Sequence, residues 1–376
     1  MFIRGVGRTK FGVLREQIPQ LMYEAILNAK KDAKISVEDI DACIVSNFFG
    51  GTIDNQSHLN SLIASLLPGF DKQSIRVESA CASGGAAFNL ATKLLNNYEN
   101  VLVVGVEKMT NRDVSTVTDA LASAADLRLE QDNGLTYPAA YALIASEYFD
   151  KYGVTHEALD RISLKNHENA NKNPLAHFYH KKVTLNEIKE SPVVCSPLRL
   201  FDCSPISDGA AAVILSATKS SERDVEILSS EMAVDTLSIT QREDIIKMKA
   251  TEKASKMAFN KASIKPNDIS LAEIHDCFTI NELVSLESIG FCKFGKASDL
   301  NTSITGEFPV NTDGGLKADG HPIGATGVAQ ITELVTQLRG EAGDRQVKKR
   351  AYGLAHNIGG SGGSAVVTIL KGNIYV

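Results

Sequence analysis

The chain repeats itself, and that repeat limits the folds open to it more than any other feature. Asp39-Ile40-Asp41-Ala42-Cys43-Ile44-Val45-Ser46-Asn47-Phe48-Phe49 is matched 229 residues later by Asp268-Ile269-Ser270-Leu271-Ala272-Glu273-Ile274-His275-Asp276-Cys277-Phe278. Ala33-Lys34-Ile35-Ser36 stands opposite Ala262-Ser263-Ile264-Lys265, and Cys81-Ala82-Ser83-Gly84 opposite His321-Pro322-Ile323-Gly324. Val104-Gly105-Val106 stands opposite Tyr352-Gly353-Leu354, and Gly209-Ala210-Ala211-Ala212-Val213 opposite Gly363-Ser364-Ala365-Val366-Val367. Five short matches in one order indicate two halves of a duplicated fold, about 1–220 and about 221–376. A length of 376 residues agrees, because it exceeds the size at which one hydrophobic core keeps growing.

Within the halves, strand and helix patterns alternate. Met1–Val6 reads as a strand, Ile18–Lys31 as a helix, and Ala42–Val45 as an apolar strand. Val101–Val106 is a continuous apolar run of the kind found in buried parallel strands. The fold class is therefore α/β, with sheets covered by helices on both faces. Asn111–Pro197 has no counterpart in the second half. It carries helical patterns at Tyr137–Tyr152 and Glu157–Asn171, and prolines at 174, 192 and 197 that do not extend a core sheet. We read it as an inserted lid over the site. Its histidines (His156, His167, His177, His180) fit no compact metal-ligand spacing and are expected to face solvent.

Composition excludes several functions. The net charge of −6, without a Lys/Arg run, gives no basis for nucleic-acid binding. No apolar stretch approaches the roughly 20 residues that span a bilayer, and the start lacks a signal-peptide core. Six cysteines without a C-x-x-C pair point to reduced thiols, a cytoplasmic location and no metal centre.

The chemistry concentrates at loops expected after strands, where ligands bind in open α/β sheets. Val77-Glu78-Ser79-Ala80-Cys81-Ala82-Ser83-Gly84-Gly85 reads as strand, sharp turn and helix, with Cys81 at the turn. A cysteine at a helix start is expected to have a lowered pKa and to react as thiolate. A buried structural thiol is the alternative. A cysteine nucleophile needs a base, oxyanion donors and often a second proton carrier. His321, at a helix start, suits the base, Cys277 the second proton carrier, and the N–H groups of Gly359 and Gly360 the donors. His321 as a mere helix cap, and Gly359–Gly363 as a phosphate loop, are the competing readings. The latter lacks the Lys-Ser/Thr that follows in a P-loop. Cys43, Cys195, Cys203 and Cys292 are expected to be structural.

These residues resemble the thiolase superfamily over nearly the whole chain. The similarity rests on the duplicated sheet, the A-C-A-S-G-G turn of Cys81, Gly105-Val106-Glu107-Lys108-Met109, and Gly320-His321-Pro322-Ile323-Gly324-Ala325-Thr326-Gly327. Better-known thiolases carry a cysteine where Asn357 stands. The His275-Asp276-Cys277-Phe278 form is instead similar to the sterol-carrier-protein-type thiolases and to archaeal acetoacetyl-CoA thiolases, which bring the second cysteine from this loop. The resemblance implies a thiolase fold of two αβαβα halves. It implies condensation of two acetyl-CoA through an acetyl-Cys81 intermediate, with Cys277 as acid/base and His321 as base. His275 would help polarise the second thioester, and N–H groups of Cys81 and Gly359 would hold the acyl oxyanion. It also implies acetyl-CoA, acetoacetyl-CoA and CoA as substrates and products, no metal or organic cofactor, and a mevalonate-type pathway. A homodimer or dimer of dimers follows by resemblance, as does a complex with hydroxymethylglutaryl-CoA synthase and a small zinc/OB-fold protein. A degradative 3-ketoacyl-CoA thiolase and a non-catalytic acyl-CoA-binding scaffold are the alternatives.

Overall fold

The apolar alternation of the strands is what stacks this molecule into layers. The computed structural model describes residues 1–372. The first half runs β1 (Phe2–Arg8), α1 (Ile18–Ala33), β2 (Ala42–Ser46), α2 (Leu59–Leu66), β3 (Gln73–Val77), α3 (Ser83–Leu94) and β4 (Asn100–Glu107). A long excursion follows, with α4 (Val114–Ala122), α5 (Tyr137–Tyr152), α6 (Glu157–Ala170), α7 (Leu185–Lys189), β5 (Val193–Cys195) and β6 (Leu198–Arg199), before β7 (Gly209–Ser216). The second half runs β8 (Val225–Val234), α8 (Lys249–Ala262), β9 (Leu271–Ile274), α9 (Thr279–Ile289), α10 (Gly315–Ala318), α11 (Ile323–Arg339), β10 (Tyr352–Gly359) and β11 (Ser364–Lys371).

Nine strands follow the order β3-β2-β4-β7-β1-β8-β11-β10-β9 in a mixed sheet. Strands β2, β3 and β4 are parallel, and β7 runs antiparallel between β4 and β1. Strand β10 is parallel to β9, and β11 runs antiparallel between β10 and β8. The same order therefore occurs twice, joined where Phe2 and Ile3 pair with Glu226 and Val225. Val310 makes a single parallel bridge to Ala272 at the position that β3 occupies in the first half.

Residues on one face of the strands (Ala42, Ile44, Val101, Val103, Val213) pack with Phe88 and Ala91 of α3 and Val328 and Leu334 of α11. Those on the other face (Cys43, Val45, Leu102, Val104, Ile214) pack against Leu21, Met22, Ala25 and Ile26 of α1. In the second half the outer face packs against Ala254 and Ala258 of α8. Helices α3 and α11 thus form a central layer between the two parts of the sheet. Each fully buried Leu, Ile or Val contributes about 1.5–3 kcal/mol relative to exposure. Small residues let α3 and α11 touch through their backbones. A Cβ on Gly84 would stand 2.8 Å from Gly327 N, and one on Gly327 would stand 2.3 Å from Gly85 N.

Three expectations change. Ladder register places Ala42 beside Val101 and Leu271 beside Gly353, so the counterpart of Gly105 is Asn357, not Gly353. A slip of four residues keeps the same side chains on the same face, which is why the pattern alone does not reveal it. Strand β10 also runs on through His356 and Asn357 to Gly359, so Gly359 ends a strand where a glycine loop was expected to begin. The four histidines of the inserted segment also differ from expectation. His180 is exposed, but His167 is buried against Phe178 and Phe201 with its Nε2 3.2 Å from Lys317 Nζ. His156 is partly buried between Asp160 and Asp202, at 3.0 and 2.9 Å, and His177 lies 2.8 Å from Ser207 Oγ. Helix α6 buries its polar residues Asp160, Ser163, Lys165, Asn166, His167 and Asn169, whereas α4 and the segment before α7 are largely exposed.

Candidate active site

Cys81 stands at the bend between β3 and α3, directly before the N-cap residue Ala82. Ala80 adopts a left-handed backbone (φ 48°), a costly conformation for a residue with a Cβ. Ser83 pins the bend: its Oγ donates to Ala80 O (2.6 Å) and accepts from Ser79 N–H (2.9 Å). The lowered thiol pKa expected from the helix start does not hold. Burial pushes the Cys81 thiol up to about 12, helped by the charges of Glu107 and Glu78 and opposed by the Gly360 N–H that donates to its sulfur. Desolvation outweighs the helix dipole here.

His321 sits on the turn into α11, with Nδ1 2.7 Å from Thr326 Oγ1. The Thr326 hydroxyl donates to Pro322 O (3.1 Å), so its oxygen accepts from His321 Nδ1–H. That leaves a lone pair on Nε2. Burial holds the imidazole at about 3, so it is neutral near pH 7.

Cys277 follows the carboxyl end of β9 and is buried. Burial raises its thiol pKa well above the ordinary value, as does the neighbouring Cys81; hydrogen bonds from Tyr141 and from the Phe278 N–H act in the opposite sense. Tyr141 stacks on Phe278 with ring centroids 4.6 Å apart, and its hydroxyl lies 3.1 Å from Gly360 O. His275 is fully buried in edge contact with His321, centroids 5.1 Å apart. Burial and the neighbouring His321 and His356 keep it neutral.

Cys81, Cys277, His321 and Gly360 line one cavity of about 170 Å³, with Leu121 of α4 and Tyr137 and Tyr141 of α5 among its walls. Part of the inserted segment therefore does cover the site. His275 does not itself line the cavity but packs edge-on against His321, which does. Gly359 is a strand residue packed on the Cys81 turn, where an added Cβ would meet Ser79 O at 2.7 Å. The N–H that reaches the Cys81 sulfur comes from Gly360. Two larger clefts exist: one of about 630 Å³ runs along Arg76, Glu78 and Ser79, and one of about 350 Å³ lies beside Lys165 and Glu282. Neither is lined by either cysteine.

Sequence reasoning missed three residues. Cys203, expected to be structural, lines the same cavity as the two reactive cysteines. Tyr141 carries no sequence signal, since only tertiary packing brings α5 to Cys277. Glu107 was legible only as part of a motif. It accepts from the N–H groups of Phe48, Phe49 and Gly324 (2.9, 3.0 and 2.9 Å) and ties the start of α11 to the loop after β2. Burial raises its pKa to about 7. Among the described residues, Cys81, His275 and His321 form a group whose ligand atoms lie within 4.8 Å of one another, so an ion held there would occupy the nucleophile.

A duplicated αβαβα fold that presents a cysteine and a histidine from its two central helices, with a second cysteine beside them, defines an acyl-transferring enzyme of the thiolase class. The chain belongs to the thiolase family: residues 1–219 match the thiolase N-terminal domain and residues 232–372 the thiolase C-terminal domain-like family. It is 45% identical over 378 residues to an acetyl-CoA acetyltransferase of Methanothermobacter thermautotrophicus, covering 98% of each chain. An acetyl-CoA acetyltransferase of Methanocaldococcus jannaschii is 43% identical, again covering 98% of each. Sterol carrier protein 2 of Bos taurus is 34% identical, covering 99% of this chain and 72% of that protein. Among solved structures, the Ltp2-ChsH2(DUF35) aldolase superposes with a TM-score of 0.82 at 25% identity, covering 99% of this chain and 97% of that one.

Proposed function

We propose that the protein is an acetyl-CoA C-acetyltransferase that condenses two acetyl-CoA to acetoacetyl-CoA and CoA. The observation that carries this reading is that Cys81, Cys277 and His321 line one cavity. Its volume of about 170 Å³ suits a short acyl group better than a long chain.

In the first half-reaction the Cys81 sulfur bonds to the acetyl carbon and the bond to the CoA sulfur breaks. His321 Nε2 takes the Cys81 proton and passes it to the departing CoA thiolate. The free thiol and imidazole are both neutral, so transfer is concerted with attack and no standing ion pair is involved. Main-chain N–H groups of Cys81 and of Gly359–Gly360 hold the developing oxyanion, each such donor contributing about 3–4 kcal/mol. In the second half-reaction the Cys277 thiol first gives its proton to His321 Nε2, and the resulting thiolate removes a methyl proton from a second acetyl-CoA, whose thioester oxygen is polarised by the Nε2–H of His321 and by His275. The new carbon–carbon bond displaces Cys81 as thiolate, and His321 gives its proton to that sulfur, which restores two thiols and a neutral imidazole. No metal or organic cofactor enters this scheme.

The amino-acid likeness to two acetyl-CoA acetyltransferases supports the substrate. A cytoplasmic setting and a mevalonate-type pathway rest on the family resemblance; among the described residues no helix is long and apolar enough to cross a membrane. Association into a homodimer or dimer of dimers is supported by β3, a sheet edge with Ile75 exposed. A complex with hydroxymethylglutaryl-CoA synthase and a small zinc/OB-fold protein rests on the family resemblance alone. The direct test is incubation with acetyl-CoA, followed by CoA release and peptide mass mapping. Acetylation of Cys81 and formation of acetoacetyl-CoA are expected. Acetylation that persists in Cys81→Ala, or no CoA release, overturns the reading.

A further inference from the structure

We propose that Asn357 is a positioning residue that locks His275 in the tautomer with its proton on Nε2, and ties that choice to the nucleophile turn. The inference rests on the thiolase reading for its catalytic meaning, but not for its structural content.

The argument is a closed chain of hydrogen bonds. The Gly85 N–H can only donate, and it lies 2.9 Å from Asn357 Oδ1. That identifies the amide oxygen and makes the other terminus the NH₂ group. Asn357 Nδ2 lies 2.9 Å from the carbonyl oxygen of Cys81 and 3.0 Å from His275 Nδ1. An amide nitrogen donates and does not accept, so His275 Nδ1 must carry the lone pair. The ring is neutral, because burial disfavours the imidazolium and His321 and His356 add to that effect. Its one proton is therefore on Nε2. That atom is buried and has no hydrogen-bond partner among the described residues. A buried donor without a partner is destabilising and points to an acceptor that arrives with substrate. One ring nitrogen of His275 lies within 4.8 Å of the Cys81 sulfur and of a His321 nitrogen, and both of those residues line the cavity, so the acceptor assigned to Nε2 is an atom of the thioester that reacts there.

The position of Asn357 makes it suited to the task. It is the strand residue that corresponds to Gly105 in the first half, where no side chain projects. In the second half this one amide spans Gly85 on α3, the Cys81 carbonyl and the His275 ring. An aspartate of the same shape would keep the Gly85 bond but accept from His275, reversing the tautomer and leaving Nε2 with a lone pair facing the substrate oxygen.

The test combines nitrogen NMR of histidine-labelled protein with the two half-reactions. His275→Asn assigns the His275 signals by their disappearance. Wild type is expected to show an unprotonated Nδ1 and a protonated Nε2 at His275, and Asn357→Asp the reverse. Condensation in Asn357→Asp is expected to fall by about 10²–10³, the loss typical of one oxyanion donor. Acetylation of Cys81 is expected to fall by less than condensation, its loss coming only from the bond to the Cys81 carbonyl that a carboxylate cannot donate, since His275 acts on the second thioester. A wild-type His275 protonated on Nδ1 overturns the proposal whether or not the variant folds. So does an unchanged tautomer in Asn357→Asp, or an equal loss in both half-reactions, which marks a merely structural amide. If wild type forms no acetyl-enzyme, the thiolase reading fails, while the spectrum still decides the tautomer.

Discussion

Tyr141 lies over Phe278, and this stacking carries its hydroxyl to the Cys277 thiol and to within 3.1 Å of the Gly360 carbonyl. The hydroxyl has one proton and two acceptors. While Cys277 is a thiol, the proton rests on Gly360 O; once Cys277 is a thiolate, it turns to the sulfur. Tyr141→Phe should therefore slow condensation by roughly 10–100-fold, the equivalent of a lost hydrogen bond to a charged group at about 1.5–3 kcal/mol. Acetylation of Cys81 should change little. Stopped-flow measurement of the acetylation burst, set beside steady-state condensation, checks both halves.

Removing the Cys277 sulfur should separate the steps more completely. Cys277→Ala is expected to acetylate Cys81 and to lose condensation by at least the 10²–10⁴-fold typical of general acid–base removal. Accumulation of acetyl-enzyme, seen by intact-protein mass spectrometry, is the confirming result. Near wild-type condensation would make Cys277 a structural thiol.

The resting site should react as a thiol. Burial places Cys81 at about 12 and His321 at about 3, so no ion pair forms between them at neutral pH. Alkylation of Cys81 by iodoacetamide should rise about tenfold per pH unit across pH 6–10, because the thiolate fraction does. A plateau beginning near pH 7 would show a preformed thiolate–imidazolium pair instead.

Thiophilic metals should act as inhibitors. Cys81, His275 and His321 place three ligand atoms within 4.8 Å of one another, a set that suits Zn²⁺. Micromolar zinc should block acetylation and protect Cys81 from alkylation, with chelator restoring both. His321→Asn should weaken that inhibition, measured as the shift in half-inhibitory zinc concentration.

Much of this architecture can be read from residues alone, and the failures share a cause. The repeat around Asp39 and Asp268 located β2 and β9, and the small-residue turns located the starts of α3 and α11. Patterns specify which face a residue is on, so the four-residue slip at Gly105 escaped, and with it the strand position of Asn357. Patterns are equally silent about desolvation: the helix start of Cys81 implied a reactive thiolate, whereas burial made it a high-pKa thiol. His167 looked solvent-facing because its partners Lys317, Phe178 and Phe201 are remote in sequence. Cys203 and Tyr141 reach the cavity by the same kind of long-range packing.

The backbone contact between α3 and α11 places Cys81 and His321 at corresponding ends of two equivalent helices, side by side across the axis relating the halves. Two identical chains meeting in this way would present two cysteines or two histidines, and neither pair is a nucleophile with its base. Joining the halves in one polypeptide frees the two ends to differ. The catalytic pair is in this sense a broken symmetry, and its asymmetry is available only to a fused duplicate.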